Sequence, residues 1–454
     1  MRRAWRWPAI AQPVALCLLA AALCWWTIGT FSPGFMSTDT LYQLRQALGQ
    51  VQLSDWHPPL MSLLWGWLIS VTGTWASMLV LQVVVLWAAL LTVALVLLRS
   101  TRSFGLALLA LAIGVLPQVV GIVGVIWKDV QLAAALLAVA AICLLARRWR
   151  RSPWARWTLV PLAVVLLVYA LMVRKNGVFA ILPLLYLLAH AWFPRSRWRA
   201  PVAVLVAVGA LTWGTQALVD AQARPQQTHQ LAQVMIDDII HVVPPADIQA
   251  AHLDPDLTAK LLQAQHLCQR RNSLVNAYWT CYGTGENGPF TAVAHYDEIQ
   301  KAWPGLMQAH AGDYVAYRWQ AFSLFLFEHR DTWQPGVDAN DLGIVTDHPR
   351  MAQALRYYVQ SFAEEDVPFV FGAWLWLAVG IALVVRARRR GPYRAVIAML
   401  GLSAALYVLG YAPVVPATDF RYVYWPGIAG SLGLLLVLAQ RAELAAHNRE
   451  ETPS

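Results

Sequence analysis

The chain has 454 residues, 58% hydrophobic and only 13% charged, with a formal net charge of +9 and a mean hydropathy of +0.49. A typical soluble protein carries about 25% charged residues, so this composition excludes a soluble enzyme, a disordered chain and a disulfide-rich secreted domain. With 23 Trp and so few charges it fits a polytopic membrane protein better than a nucleic-acid binder.

A hydrocarbon core about 30 Å thick needs roughly 17–25 apolar residues per helix. Runs of that kind lie near 10–31, 75–98, 104–120, 128–146, 158–173, 177–193, 201–219, 368–385, 394–411 and 425–440. They predict an all-α fold with about ten transmembrane helices. The run 59–72 is shorter and Trp-rich, which predicts an interfacial or re-entrant helix. Arg2, Arg3 and Arg6 precede the first run without a small-residue cleavage site after it, so that run is expected to remain as a helix rather than to be removed as a signal peptide.

Cytoplasmic loops retain Lys and Arg, and this tests the hydropathy independently. With the N-terminus inside and ten alternating spans, the cytoplasmic segments hold 20 Arg and three acids. The short external loops hold five bases and four acids, and the long segment 220–367 holds nine bases and 18 acids. Both termini are therefore expected in the cytoplasm. The expected organisation is a membrane domain over 1–219 with a first external loop at 32–58, an external, mainly helical soluble domain over 220–367, and the last three spans and a tail over 368–454. Within the external domain Asp256 to Cys268 and Gly305 to Phe327 have helical periodicity, with breakers at Pro244-Pro245, Gly283 to Gly288 and Gln334 to Gly343. Cys17, Cys24 and Cys143 fall in membrane helices, whereas Cys268 and Cys281 share the external domain. An oxidising compartment makes a Cys268–Cys281 disulfide the expectation, against two buried thiols.

Ionisable residues at membrane level are costly and mark function. Outside the external domain and the tail the acids are Asp39, Asp55, Asp129 and Asp419, all on the external face with Arg45, Lys128, Arg174, Lys175 and Arg421. Asp39 follows the first span closely, where a carboxylate can act as a general base; a plainer reading makes Ser37-Thr38-Asp39 a helix N-cap. His57-Pro58-Pro59 is a rigid start to a helix. Lys128-Asp129 opens one span, as a functional pair or as snorkelling charges. Arg174-Lys175-Asn176-Gly177 is a tight external turn whose three donor side chains suit a phosphate. Arg421, in Asp419-Phe420-Arg421-Tyr422, is a further candidate phosphate ligand beside interfacial aromatics.

At Asp39, with Tyr42 shortly after, and at His57-Pro58-Pro59-Leu60 the sequence resembles the GT-C superfamily of membrane glycosyltransferases, in particular its protein O-mannosyltransferase and aminoarabinose lipid A transferase branches. Lys128-Asp129, Arg174 to Gly177, Arg421-Tyr422 and the stretch with His310, Tyr314 and Arg318 are similar to segments of bacterial members. Several relatives have Asp-Glu where this chain has Asp39-Thr40, and no Asp-x-Asp motif is nearby. No cofactor is therefore expected, and a divalent metal is left open. The resemblance implies a GT-C-like fold and an inverting transfer of sugar from a polyprenyl-phosphate donor to a cell-envelope glycan, lipid or protein, at the outer face of a bacterial inner membrane. In that scheme Asp39 is the base, Asp129 the reserve base, and His57 an orienting group. Lys128, Arg174, Lys175, Asn176 and Arg421 hold the phosphate, with Tyr42, Asp55 and Tyr422 in support. Membrane lipid is the other expected partner. Rival readings are an O-antigen polymerase or ligase, which would not need Asp39, and a non-enzymatic transport or assembly protein. Transport fits poorly, because the charges sit at helix ends on one side rather than at mid-membrane.

Overall fold

The computed structural model describes residues 7–196, 198–283, 290–291, 293–328 and 330–451. Arg2, Arg3, Arg6 and most of the expected breaker at Gly283 to Gly288 lie outside the described residues. The described chain is helical, without strands.

The membrane part begins with α1 (Trp7–Phe31), α2 (Thr38–Ala47), α3 (Pro59–Thr72), α4 (Ser77–Thr101), α5 (Phe104–Ala112) and α6 (Pro117–Val120). It continues with α7 (Lys128–Trp149), α8 (Pro153–Val173), α9 (Val178–Trp192) and α10 (Arg199–Ala223). The 220–367 segment contributes α11 (Gln230–Val242), α12 (Pro245–Ala250), α13 (Pro255–Arg270), α14 (Tyr296–Ala309), α15 (Ala311–Phe327) and α16 (Pro349–Ser361). The chain returns through α17 (Ala373–Arg386), α18 (Arg394–Leu409) and α19 (Tyr424–Glu451).

Six stretches are long and apolar enough to cross a membrane: Ile10–Phe31, Ser77–Thr101, Lys128–Trp149, Pro153–Val173, Arg199–Ala223 and Phe420–Ala445. The chain is thus a multi-pass helical membrane protein. The remaining apolar runs form shorter helices. The run 104–120 is not one helix, because it breaks into α5, a 3-10 turn and α6. Leu116 is extended before Pro117, as the clash of a proline ring with the preceding residue demands. The periodic stretch Gly305 to Phe327 is likewise divided at His310, which leaves helical geometry between α14 and α15.

The centre of the bundle is α7. It packs on α4, α8, α9 and α19, and 89% of its apolar window is buried, against 17% for α10. The exposed side of α10, with Val206, Leu211 and Trp213, is what a lipid-facing helix presents. A central α7 matters because its first residues, Lys128 and Asp129, are carried into the middle of the site.

In the 220–367 segment α11 is the hub, in contact with α13, α14 and α15. Its buried face carries Asp237 and Asp238. Asp238 pairs with Arg318 at 2.5 Å and accepts the Trp303 indole N–H at 2.9 Å. Asp237 accepts the Tyr282 hydroxyl at 2.5 Å. Cys268 and Cys281 are joined, with their Cα atoms 5.2 Å apart, which ties α13 to the π-helical turn Tyr278–Tyr282.

The segment is not a free-standing appendage. Ser54 pairs with Gln226, Asn276 donates its N–H to the Pro416 carbonyl, and Met36 pairs with Val337. Three loops of the membrane part are thereby sewn to it at one end of the bundle.

Candidate functional site

The site is assembled by backbone pairing between segments far apart in sequence. The Phe35 N–H donates to the Gly124 carbonyl at 3.1 Å, and the Ile126 N–H donates to the Phe35 carbonyl at 3.0 Å. This close approach needs two glycines. A Cβ on Gly124 would stand 1.9 Å from Phe31 Cγ, and one on Gly34, whose φ is +117°, would stand 2.4 Å from Ile126 Cδ1. The pairing sets the start of α2 beside the start of α7, and so Asp39 beside Lys128. Thr40 and Trp127 lock the junction: the Thr40 hydroxyl donates to the Ile126 carbonyl at 3.0 Å and the Trp127 indole N–H to Ser37 Oγ at 2.9 Å.

Asp39 lies in the first turn of α2, with Ser37 as the N-cap residue; the Ser37 side chain makes no capping bond. The Asp39 carboxylate faces Arg421, which donates to it from Nη1 at 3.3 Å. The other arm of Arg421 reaches Asp419 at 2.9 Å, and its guanidinium lies 5.0 Å from the Trp127 ring centroid and 5.3 Å from that of Tyr422. Burial works against the charge on Asp39, but Arg421 beside it, with His57 and Lys128 in electrostatic reach, outweighs this and holds the carboxyl below the usual carboxylate range. His57 is buried, 5.5 Å from the Tyr42 ring. Burial drops its imidazole to about 4 despite the pull of Asp39, with Lys128 and Arg421 adding to the drop. It is therefore neutral at pH 7, a donor and acceptor rather than a cation. Pro58 and Pro59 do start α3, as N-cap and first helical residue.

A second layer lies behind this one. Arg174 binds Asp129 at 2.6 Å, both nearly buried, and donates from Nη2 to the Tyr411 hydroxyl at 2.5 Å. Its guanidinium is 4.8 Å from the Tyr422 ring centroid, and Asn176 lies beside the Tyr411 hydroxyl. Arg174 and Asp129 are thus committed to each other. Lys128 stands between the layers, in electrostatic reach of Asp39, Asp129, Arg174 and Arg421. Among the described residues it makes no hydrogen bond or ion pair, which leaves its ammonium free for an incoming anion.

Of the residues expected at the site, Asp39, His57, Lys128, Asp129, Arg174, Arg421 and Tyr422 come together, with Tyr42 against His57 and Asn176 against Tyr411. Two do not join them. Lys175 is exposed on the turn, and Asp55 faces the start of the 220–367 segment, where it accepts the Thr228 N–H at 2.7 Å. Sequence reasoning passed over Trp127 as a cation platform and Tyr411 as the Arg174 partner. It also passed over Tyr278, which brings a hydroxyl from the 220–367 segment into electrostatic reach of Asp39. Trp127 could have been found from its place beside Lys128; Tyr411 and Tyr278 carry no local signal. Among the described residues no group of three or more His, Cys, Asp or Glu is arranged to hold a metal ion. A cavity of about 450 Å³ between α1 and α16, lined by Trp25, Trp26, Gly29, Ser32 and Met351, lies apart from the charged residues.

No protein-family model matches this sequence, and no curated protein or solved structure matches it.

Proposed function

We propose that the chain is an inverting, GT-C-like glycosyltransferase with about ten membrane spans, cytoplasmic termini and its 220–367 domain in the periplasm of a bacterial inner membrane. In this reading it moves a sugar from a polyprenyl phosphate to a cell-envelope acceptor. The observation that carries it is a carboxylate, Asp39, paired with a largely buried arginine beside a lysine whose ammonium is unengaged. A phosphate leaving group needs cations where its charge grows, and the acceptor hydroxyl needs a base within hydrogen-bond reach. The site offers both within one cluster.

The acceptor oxygen forms a bond to the anomeric carbon while the bond from that carbon to the phosphate oxygen breaks. The acceptor proton passes to Asp39, and the electron pair leaves with the polyprenyl phosphate. Lys128 and Arg421 meet the phosphate. Arg174 and Asp129 stand behind them, where their pairing fixes the field rather than touching the donor. Arg421 has a double duty in this scheme: a donor phosphate that draws it off Asp39 also removes the charge that weakens Asp39 as a base. Neutral His57 orients Asp39 or the acceptor.

The test is turnover of a polyprenyl-phosphate-linked sugar by the purified full chain and its Asp39→Asn variant. Transfer should fall at least about a hundredfold in the variant, with folding retained. Turnover at the wild-type rate would remove Asp39 as base and favour a ligase-type reaction.

A further inference from the structure

The segment 330–347 of the external domain binds both stretches of chain that carry the Asp39–Arg421 pair, at residues beside each of them. At its start the Arg330 N–H donates to the Thr418 carbonyl at 3.1 Å, and the Phe420 N–H donates to the Arg330 carbonyl at 2.8 Å. That pairing grips the loop on which Arg421 is mounted. Further on, the Met36 N–H donates to the Gly336 carbonyl at 3.0 Å, and the Asp338 N–H donates to the Met36 carbonyl at 2.8 Å. This grips the residues leading into α2. Beyond that, Arg45 in the last turn of α2 pairs with Asp341, and Ser32 Oγ donates to Asp347 Oδ2 at 2.7 Å.

Within this strap one side chain acts directly on α2. Asp338 Oδ2 accepts the Thr38 N–H at 2.8 Å and the Thr38 hydroxyl at 3.1 Å. The first backbone N–H groups of a helix have no partner within it, and an Asp carboxylate is among the best groups to satisfy one. Such a cap normally comes from the residue at the helix start. Here the local N-cap, Ser37, has its Oγ occupied by the Trp127 indole, and the cap comes from a position 300 residues away. Asp338 is itself held in place: Gln334 donates to its Oδ1 at 2.9 Å, and Asn340 donates to its carbonyl at 2.9 Å. Asn340 also receives the Leu342 and Ile344 N–H groups at 3.1 Å each, so the loop is braced by its own hydrogen bonds.

We infer that Asp338 is a positioning residue for Asp39: by capping α2 from the external domain it fixes the first turn, and so holds the Asp39 carboxylate against Arg421. Asp39 is the residue next to the capped one, so fraying of that turn swings it away from the guanidinium. The catalytic meaning of this rests on the proposed role of Asp39 as base; the positioning itself does not. It follows that the external domain takes part in building the site, through a contact that neither participant advertises in its own stretch of sequence.

The test reads Asp39 directly. The full chain in detergent is treated with a water-soluble carbodiimide and glycine ethyl ester across pH 4–8, and labelling of the Asp39 peptide is measured by mass spectrometry. Paired carboxylates label slowly. An N-cap contributes about 1 kcal/mol, a factor of about five in the population of the frayed turn, so Asp338→Ala should raise the Asp39 labelling rate about fivefold. It should also move the labelling–pH midpoint upward, in the direction expected of Arg421→Gln, which removes the charge that holds the Asp39 carboxyl low. Asp338→Asn keeps an acceptor for the Thr38 N–H and should restore most of the protection. Asp347→Ala loosens the same strap without touching α2 and should leave Asp39 labelling unchanged. Wild-type labelling in Asp338→Ala, or an equal rise in Asp347→Ala, would overturn the inference. Donor turnover measured on the same samples separates the two claims: raised Asp39 labelling with unchanged turnover keeps Asp338 as a positioning residue and sinks Asp39 as the base.

Discussion

Replacing Arg174 by Met is the sharpest probe of the inner layer. Arg174 Nη1 and Asp129 Oδ1 are 2.6 Å apart, and the Asp129 side chain is 2% exposed. At an effective dielectric of about 20 the gross attraction at that distance is about 6 kcal/mol, and most of it is cancelled by the desolvation of two buried charges. The intact pair is therefore worth little, whereas removing one partner leaves an uncompensated buried charge and costs about 3–5 kcal/mol. Arg174→Met should reach that range. Asp129→Asn should cost less, about 2 kcal/mol, because the guanidinium keeps the Tyr411 hydroxyl and the Tyr422 face. The double variant should recover much of the loss, for a coupling of at least about 2 kcal/mol. Unfolding by sodium dodecyl sulfate in mixed micelles, followed by tryptophan fluorescence, supplies the three free energies. Donor binding measured on the double variant completes the experiment. If Arg174 only backs the site, that binding survives within a few-fold. Two single variants that each cost under about 1 kcal/mol and add without coupling would refute the buried-pair reasoning.

Other outcomes follow from the same geometry. Lys128→Gln should weaken binding of a short-chain polyprenyl phosphate by about tenfold to a hundredfold, measured by microscale thermophoresis, with Lys128→Arg intermediate. Asp237→Asn should stabilise the protein at pH 7.5 by about 1–3 kcal/mol and do little at pH 4. Burial pushes the Asp237 carboxyl up to about 6, against the Tyr282 hydroxyl, His241 and Arg318. A raised acid binds its proton more tightly in the folded state, so its contribution is lost as pH climbs through that range, and thermal melts at the two pH values will show it. His57 acts in the opposite sense. Its buried imidazole, depressed to about 4, resists the proton that the unfolded chain takes up below about 6.5, so stability drains away as pH falls from 6.5 towards 4. The His57→Gln variant should lose that slope in the same melts.

Much of the architecture was legible before any coordinates. The apolar runs marked the helices because lipid leaves the backbone no alternative partner. What periodicity could not see was where a run breaks without changing composition, as at Leu116 and His310, since both sides of each break remain apolar or amphipathic. At the site the charged residues could be gathered onto one face by counting, because a membrane segregates charge so strongly. Their pairing could not be counted. Lys128 and Arg174 look alike as external cations, yet one is unengaged and the other is bound to Asp129. Asp39 read more plainly as part of a helix cap; in the fold Ser37 is the N-cap residue, Asp338 accepts the Thr38 N–H, and Arg421 faces the Asp39 carboxylate.

Hydropathy and charge by themselves thus determined that this is a helical, multi-pass membrane protein with its short-loop carboxylates and cations concentrated near one another. Both depend on local composition, which the bilayer reads directly. Tertiary structure alone decided which cation faces Asp39, which is spent on Asp129, and that a loop of the 220–367 segment caps the helix bearing Asp39. Those contacts join positions up to 382 residues apart, held by backbone pairings through Gly34 and Gly124 that depend on shape at a crossing point rather than on any pattern along the chain.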